Sequence, residues 1–299
     1  MAIIGNYQEN FRLGRTLDGT SDADTIYGHG GNDYLLGGAG TDVLYGGAGN
    51  DFIYASSYAL WNHNADWGGS GVEYAVGGAG NDIINFSMTT HDYNVLYGDD
   101  FSAGVGEGID NVYGGSGIDY IYGGGASDVL DGGDGNDIIY GDFTTDSGND
   151  GGDVLRGGGG SDYLYGGGGD DQLDGGSGGD WLTGGMGHNT FAWSQDSSGT
   201  VWATADTITD FYAPWDSISV IGSANANNYA EVSTRFSGFD NARTVASYLF
   251  NDDDITYAFV TDGTNGYIFA DFDNNGGIDS GVELQGLSSL SEFSYADII

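Results

Sequence analysis

Residues 37–54 read GGAGTDVLYGGAGNDFIY, two nine-residue units joined head to tail. Each unit has glycine at positions one, two and four, aspartate at six and a single aliphatic residue at eight, first Leu44 and then Ile53. Apolar residues do not return every three or four positions, so an amphipathic helix does not fit. The alternation is also too short for an ordinary half-buried strand. What recurs is a turn followed by three extended residues, and that period runs from Gly19 to Ala192.

One unit already implies a chemistry. Its glycines allow positive φ and close backbone approach, so successive carbonyls can point inward at an ion. The aspartate adds a hard carboxylate oxygen. Carbonyls with carboxylates, without His or Cys, suit calcium rather than zinc. Positions seven to nine form a short strand whose middle residue alone points inward. Those residues are Ile26, Leu35, Leu44, Ile53, Ala75, Ile84, Leu96, Val112, Ile121, Leu130, Ile139, Leu155, Leu164, Leu173, Leu182 and Phe191. A merely glycine-rich disordered tract would not keep an aliphatic residue two places after nearly every aspartate.

The nonapeptide over residues 19–192 resembles the RTX (repeats-in-toxin) family of calcium-binding, type I secreted proteins. The resemblance implies an all-β fold, a right-handed parallel β-roll followed by a small β-rich C-terminal region. It implies calcium held between successive turns, on the order of ten ions in all. The ligands it implies include Asp24, Asp33, Asp42, Asp51, Asp82, Asp110, Asp119, Asp128, Asp137, Asp153, Asp162, Asp171 and Asp180. To these it adds the turn glycines Gly38, Gly40, Gly47, Gly49, Gly115, Gly117, Gly133, Gly135, Gly158, Gly160, Gly167 and Gly169. Glu73, Asn94 and Asn189 depart from the aspartate pattern.

The expected organisation is an N-terminal cap (1–18), the roll (19–192) and a C-terminal β-rich cap (193–299). Insertions interrupt the roll at 55–67, 86–88, 98–107 and 141–150. The pair at 98–107 and 141–150 should leave from one edge, and the other pair from the opposite edge. In the C-terminal third, 206–211 and 216–220 read as short strands, and 259–273 as a hairpin turning near Asn265–Gly266. In the RTX family this region implies a type I secretion signal, and so a secreted or cell-surface protein of a Gram-negative-type bacterium. Partners would then include the type I secretion machinery. The first residues, MAIIGNYQENFRLG, lack the basic and apolar regions of a secretory signal peptide.

Composition agrees with a cation-dependent fold. The 299 residues carry 45 acidic and five basic side chains, a net charge of −40. Nucleic acid and anionic membranes carry the same sign and are poor partners. No apolar run approaches membrane-spanning length, so membrane insertion is not expected. There is no cysteine, which leaves metal rather than disulfides to stabilise the fold. In the sequence DFDNNGGIDSGVE (271–283), Asp271, Asp273 and Asn275 match the start of an EF-hand loop, but its twelfth position is Val282.

Strand parity divides the outward residues between two faces. One carries Thr25/Tyr27, Val43/Tyr45, Tyr74/Val76, Val95/Tyr97, Tyr120/Tyr122, Ile138/Tyr140, Tyr163/Tyr165 and Trp181/Thr183. Tyr27, Tyr45, Tyr97, Tyr122, Tyr140 and Tyr165 thus form an aromatic strip, the candidate interaction face. Such a strip exceeds the apolar patch a soluble monomer usually exposes. Its expected cover is the C-terminal region, loop 55–67, a second copy in a homo-oligomer or polymer, or an extracellular polysaccharide. No HExxH occurs, and His29, His63, His91 and His188 are scattered without metal-ligand spacing. Residues 175–179 match G-x-S-x-G only inside a glycine turn. The reading is a non-catalytic structural protein of a surface layer or matrix, with a carbohydrate-binding or signalling module as the alternative.

Overall fold

The computed structural model describes residues 2–4, 17–20, 22–38, 40–54, 72–87, 93–99, 108–143, 150–193, 199–200, 204–220, 228–234, 237–250, 255–273 and 275–299. Short strands alternate between two parallel sheets, so the chain winds as a β-roll. The first sheet stacks Thr25–Gly30, Val43–Ala48, Val72–Ala79, Tyr93–Tyr97, Ile118–Gly124, Ile138–Asp142, Tyr163–Gly168 and Trp181–Met186. The second stacks Tyr34–Leu36, Phe52–Tyr54, Ile83–Asn85, Asn111–Ser116, Val129–Asp134, Val154–Gly160, Gln172–Gly178 and Thr190–Trp193.

Position eight sets the core. Ile26, Leu44, Leu96, Ile121 and Leu164 from one sheet meet Leu35, Ile53, Ile84, Val112 and Leu155 from the other, all fully buried. Each such side chain contributes roughly 1.5–3 kcal/mol by leaving water. The register follows the parity of the sequence: Val43 pairs with Tyr74, Tyr74 with Val95, Val95 with Tyr120 and Tyr120 with Ile138.

The ladder continues past Ala192. Asp206–Ile208 pairs with Trp181–Met186, and Ser217–Val220 pairs with Thr190–Trp193, so the first strands of the C-terminal region are two further rungs of the roll. Ile208 and Ile218 fill the core position there. At the other end, Ala2–Ile4 and Leu17–Asp18 each add a first rung. The sheet of Asp206–Ile208 then ends in Ser280–Leu284, Gly266–Ala270, Tyr257–Thr261 and Tyr229–Ser233. Tyr257–Thr261 and Gly266–Ala270 are the antiparallel hairpin expected from sequence.

A helix, Phe239–Leu249, was not foreseen. It lays Phe239, Ala242 and Ala246 on Ala258, Val260 and Phe269 of the hairpin, and Gly238 starts it with φ 96°.

The strands Tyr93–Tyr97 and Ile138–Asp142, which lead into 98–107 and 141–150, belong to one sheet, and Phe52–Tyr54 and Ile83–Asn85, which lead toward 55–67 and 86–88, belong to the other. Residues 55–67, with Tyr58, Trp61 and Trp67, lie outside the described residues, as do 88, 100–107 and 144–149.

Candidate metal centre

The position-six carboxylates form a ladder along each edge of the roll. Oδ1 of one aspartate accepts the backbone N–H of its counterpart in the adjacent turn. Asp33 donates to Asp51 at 2.7 Å, Asp51 to Asp82 at 2.6 Å and Asp82 to Asp110 at 2.7 Å. Along the same edge Asp110 donates to Asp128, Asp128 to Asp153 and Asp153 to Asp171, each at 2.8 Å. The opposite edge repeats the arrangement in Asp24 to Asp42, Asp119 to Asp137, Asp137 to Asp162 and Asp162 to Asp180.

The second oxygen is left over. Oδ2 of Asp42, Asp51, Asp82, Asp110, Asp128, Asp137, Asp153, Asp162, Asp171 and Asp180 is buried and meets no hydrogen-bond donor among the described residues. From Asp51 to Asp180 each lies over the first glycine of its own unit: a Cβ on Gly46 would collide with Asp51 Oδ2, and one on Gly157 with Asp162 Oδ2. The carbonyl oxygen of the next turn, Gly77 or Gly175, crowds the same spot. Acceptor oxygens thus face one another in a buried place, which is unfavourable unless a cation lies between them.

The backbone of the turn adds further oxygens. Gly47 (φ 107°) lies directly beneath the His29 carbonyl, and Gly49 (φ 130°) beneath the Gly31 carbonyl. Side chains are excluded at both positions by φ and by space. Gly115 differs: its N–H donates to Asp119 Oδ2 at 2.7 Å, and it lacks the positive φ of Gly133 beside it.

Burial without positive partners raises these carboxyls far above the usual carboxylate range. Desolvation is the leading cause throughout, with repulsion from neighbouring aspartates adding to it. Asp42 and Asp180 rise to about 6, Asp51, Asp162 and Asp171 to about 7, and Asp137 and Asp153 to about 8. Asp82 reaches about 9 and Asp128 about 10. Hard, orphaned, repelling oxygens packed with backbone carbonyls are a donor set for calcium.

The departures from aspartate keep the ladder. Glu73 Oε2 accepts from Asp42 at 2.9 Å, and Asn189 Oδ1 accepts from Asp171 at 3.1 Å. The amide of Asn94 donates to Asp119 Oδ1 at 2.6 Å.

Sequence reasoning missed four features. Asp206 and Asp216 extend the ladder, accepting from Asp180 at 3.0 Å and from Asn189 at 2.9 Å. Their signal, an aspartate followed two residues later by isoleucine, was present without the glycines. Position five builds an outer ladder, with Asn32 accepting from Asn50 at 3.1 Å and Asn50 from Asn81 at 3.3 Å. Buried Asp99 and Asp142 stand second in the units that carry the insertions 98–107 and 141–150. Lastly, Asp279 joins Asp271 and Asp273, with one carboxylate oxygen of each lying within 4.8 Å of the others. Asn275 instead donates its side-chain amide to Asp273 at 2.8 Å.

The family model described as the RTX calcium-binding nonapeptide repeat (4 copies) matches residues 18–53, 67–85, 105–146, 147–182 and 172–192. The chain belongs to the RTX nonapeptide-repeat family. Among solved structures, this RTX chain is similar to the R2 subunit of the AlgE6 mannuronan C5-epimerase of Azotobacter vinelandii. That match has 30% identity and a TM-score of 0.34, and covers 58% of this chain and 91% of the other. The R3 subunit of the same enzyme matches at 22% identity and a TM-score of 0.29, over 59% of this chain and 80% of the other. Extracellular lipase LipA of Serratia marcescens matches at 16% identity and a TM-score of 0.24, over 94% of this chain and 39% of the lipase. No curated protein matches the chain.

The aromatic strip is in place on the first sheet. Tyr27 stacks on Tyr45 at 5.1 Å, Tyr97 on Tyr122 at 4.7 Å, Tyr122 on Tyr140 at 5.1 Å and Tyr140 on Tyr165 at 4.7 Å. Val76 occupies the column between Tyr45 and Tyr97. Tyr74 leans across from the neighbouring column and meets those two rings at 5.9 and 5.7 Å. Beside the stack, Tyr93, Val95, Tyr97, Ile118, Tyr120 and Tyr122 line a groove of about 680 Å³.

Proposed function

We propose that this RTX chain is a secreted, non-catalytic structural protein, exported by a type I system, that folds on extracellular calcium and then assembles with copies of itself. At neutral pH the metal-free roll can bury these carboxyls only by taking up protons that the unfolded chain has released, or by leaving charges unpaired, and either cost keeps the chain expanded and able to thread a secretion channel. Bound calcium supplies the missing positive charge between turns. Folding and ion binding are then one equilibrium, driven by the high calcium of the exterior.

The observation supporting assembly is the tyrosine stack. It runs from Tyr27 to Tyr165 on a face that also presents Tyr163, 42% exposed, and Trp181, 40% exposed. A periodic aromatic surface suits another copy of itself. The groove between Tyr93 and Tyr122 favours a second reading, an extracellular polysaccharide whose sugar rings lie on the tyrosines.

Light scattering with circular dichroism during a calcium titration of chelated protein tests the first reading. β-structure appearing together with polymer mass supports it, and a folded single chain at every calcium concentration rejects assembly. Glycan binding by that single chain would then support the second reading.

A further inference from the structure

In ordinary turns the second glycine sits beneath a backbone carbonyl of the preceding turn. The carbonyl is that of His29 over Gly47, Gly47 over Gly78, Gly133 over Gly158 and Gly158 over Gly176. Among the described residues for which the contact is seen, two turns break this rule. Over Gly124 the place is taken by the carboxylate of Asp99, and over Gly167 by that of Asp142. Both aspartates stand at position two of units that carry insertions, where the backbone leaves the nonapeptide path.

We infer that Asp99 and Asp142 stand in for the displaced carbonyls as calcium ligands, creating two positions of raised negative charge at the roots of the insertions 98–107 and 141–150. The inference rests on the calcium-binding reading of the roll.

Each aspartate is nearly inaccessible, 2% exposed at Asp99 and 6% at Asp142. Each is oriented by one oxygen that accepts a backbone N–H of the next turn, from Gly125 at 3.1 Å and from Gly168 at 2.9 Å. An independent observation points to a ligand at both places. Oδ2 of Asp110 lies over Gly98 and Oδ2 of Asp153 over Gly141, the residues just before Asp99 and Asp142. Neither of these Oδ2 atoms meets a hydrogen-bond donor among the described residues, and both residues are at most 1% exposed. Repulsion from Asp99 reaches Asp110 and Asp128, and repulsion from Asp142 reaches Asp153 and Asp171. Asp128 Oδ2 lies over Gly123 and Asp171 Oδ2 over Gly166, beside the places of Asp99 and Asp142, and Asp150 Oδ2 lies over Gly168 at the second root. At least three carboxylates therefore gather at each root, where an ordinary turn gathers two with a neutral carbonyl. Ligand charge is a main determinant of calcium affinity at such sites.

The test is calorimetric titration of the full chain with calcium against a competing chelator, with circular dichroism at saturating calcium as the folding check. The wild-type isotherm should resolve a tight class of about two ions, bound about tenfold or more tightly than the rest. Asp99→Asn with Asp142→Asn should abolish that class, whereas Asp162→Asn, in an ordinary turn, should leave it intact. A tight class that survives the double variant overturns the inference. So does a uniform wild-type affinity, which needs no variant to be observed. A wild-type chain that binds no calcium overturns the calcium reading itself, and this inference with it.

Discussion

Asp51 divides its carboxylate between two tasks: Oδ1 accepts the N–H of Asp33 at 2.7 Å, and Oδ2 lies buried over Gly46 without a donor among the described residues. The first oxygen holds adjacent turns in register. The second is crowded at the same spot by the carbonyl oxygen of Gly77, the pairing that a bound cation would relieve.

Asp51→Asn separates these tasks, because the amide oxygen can still accept from Asp33 while the charge is lost. In chelator at pH 8.5 the wild-type side chain, with its pKa raised to about 7, is ionised and uncompensated. The variant should therefore be the more β-structured of the two. In saturating calcium the order should reverse, and Asp51→Ala should be weaker than Asp51→Asn by about 1–3 kcal/mol for the orphaned N–H of Asp33. Denaturant titrations followed by circular dichroism check both signs.

The pH dependence follows from the raised carboxyls. A folded-state pKa above the unfolded value means that the folded chain holds its proton more tightly. Stability from these groups is fully present below the ordinary value of 3.8 and is lost as pH rises through 6 to 8, the range of Asp42, Asp51 and Asp137. Metal-free protein should thus show most β-structure near pH 4 and lose it toward neutrality. Calcium should invert the trend, because ion binding requires the deprotonated ligands. Metal-free protein with more β-structure at pH 8 than at pH 4 would contradict the account.

Much of this was legible because one residue per unit carries each instruction. Leu44 and Ile53 mark the core, Asp42 and Asp51 the inward carboxylate of each turn, and parity alone assigned Tyr97 and Tyr122 to one face. Asp206 and Asp216 escaped because the glycines that announce the period are gone, although the strand and its aspartate remain. Asp99 and Asp142 escaped for a different reason. Their role depends on what sits over Gly124 and Gly167 in the next turn, and spacing along the chain does not reveal that contact. The helix Phe239–Leu249 buries a narrow stripe against the hairpin, so it depends on tertiary packing more than on its own short pattern.

The neighbours Gly158 and Gly159 offer a test of the turn itself. Gly158 has φ 105°, and a Cβ there would strike the Gly133 carbonyl; the nearest atom to a Cβ on Gly159 is Asp134 Oδ1 at 3.1 Å. Gly158→Ala should cost about 1–3 kcal/mol from backbone strain alone and raise the calcium midpoint of folding. Gly159→Ala should stay close to wild type. Equal effects at the two positions would remove the steric argument for the repeat.

The tyrosine stack can be tested without touching the ion sites, because its rings lie on the outer face. Tyr97, Tyr122 and Tyr140 are consecutive members of one column, with centroid spacings of 4.7 and 5.1 Å. Stacked cross-strand pairs contribute about 0.2–1 kcal/mol each, so changing all three to serine should lower stability modestly and still permit calcium folding. Assembly should respond far more, because serine removes three consecutive rings from the column while leaving the backbone ladder beneath it. Tyr→Phe at the same positions keeps the rings and should retain assembly. Sedimentation velocity in calcium distinguishes the outcomes. Loss of polymers in the serine variant but not in the phenylalanine variant marks the face as the contact. Unchanged polymers in both would place the contact elsewhere and reduce the stack to a stabiliser of its own sheet.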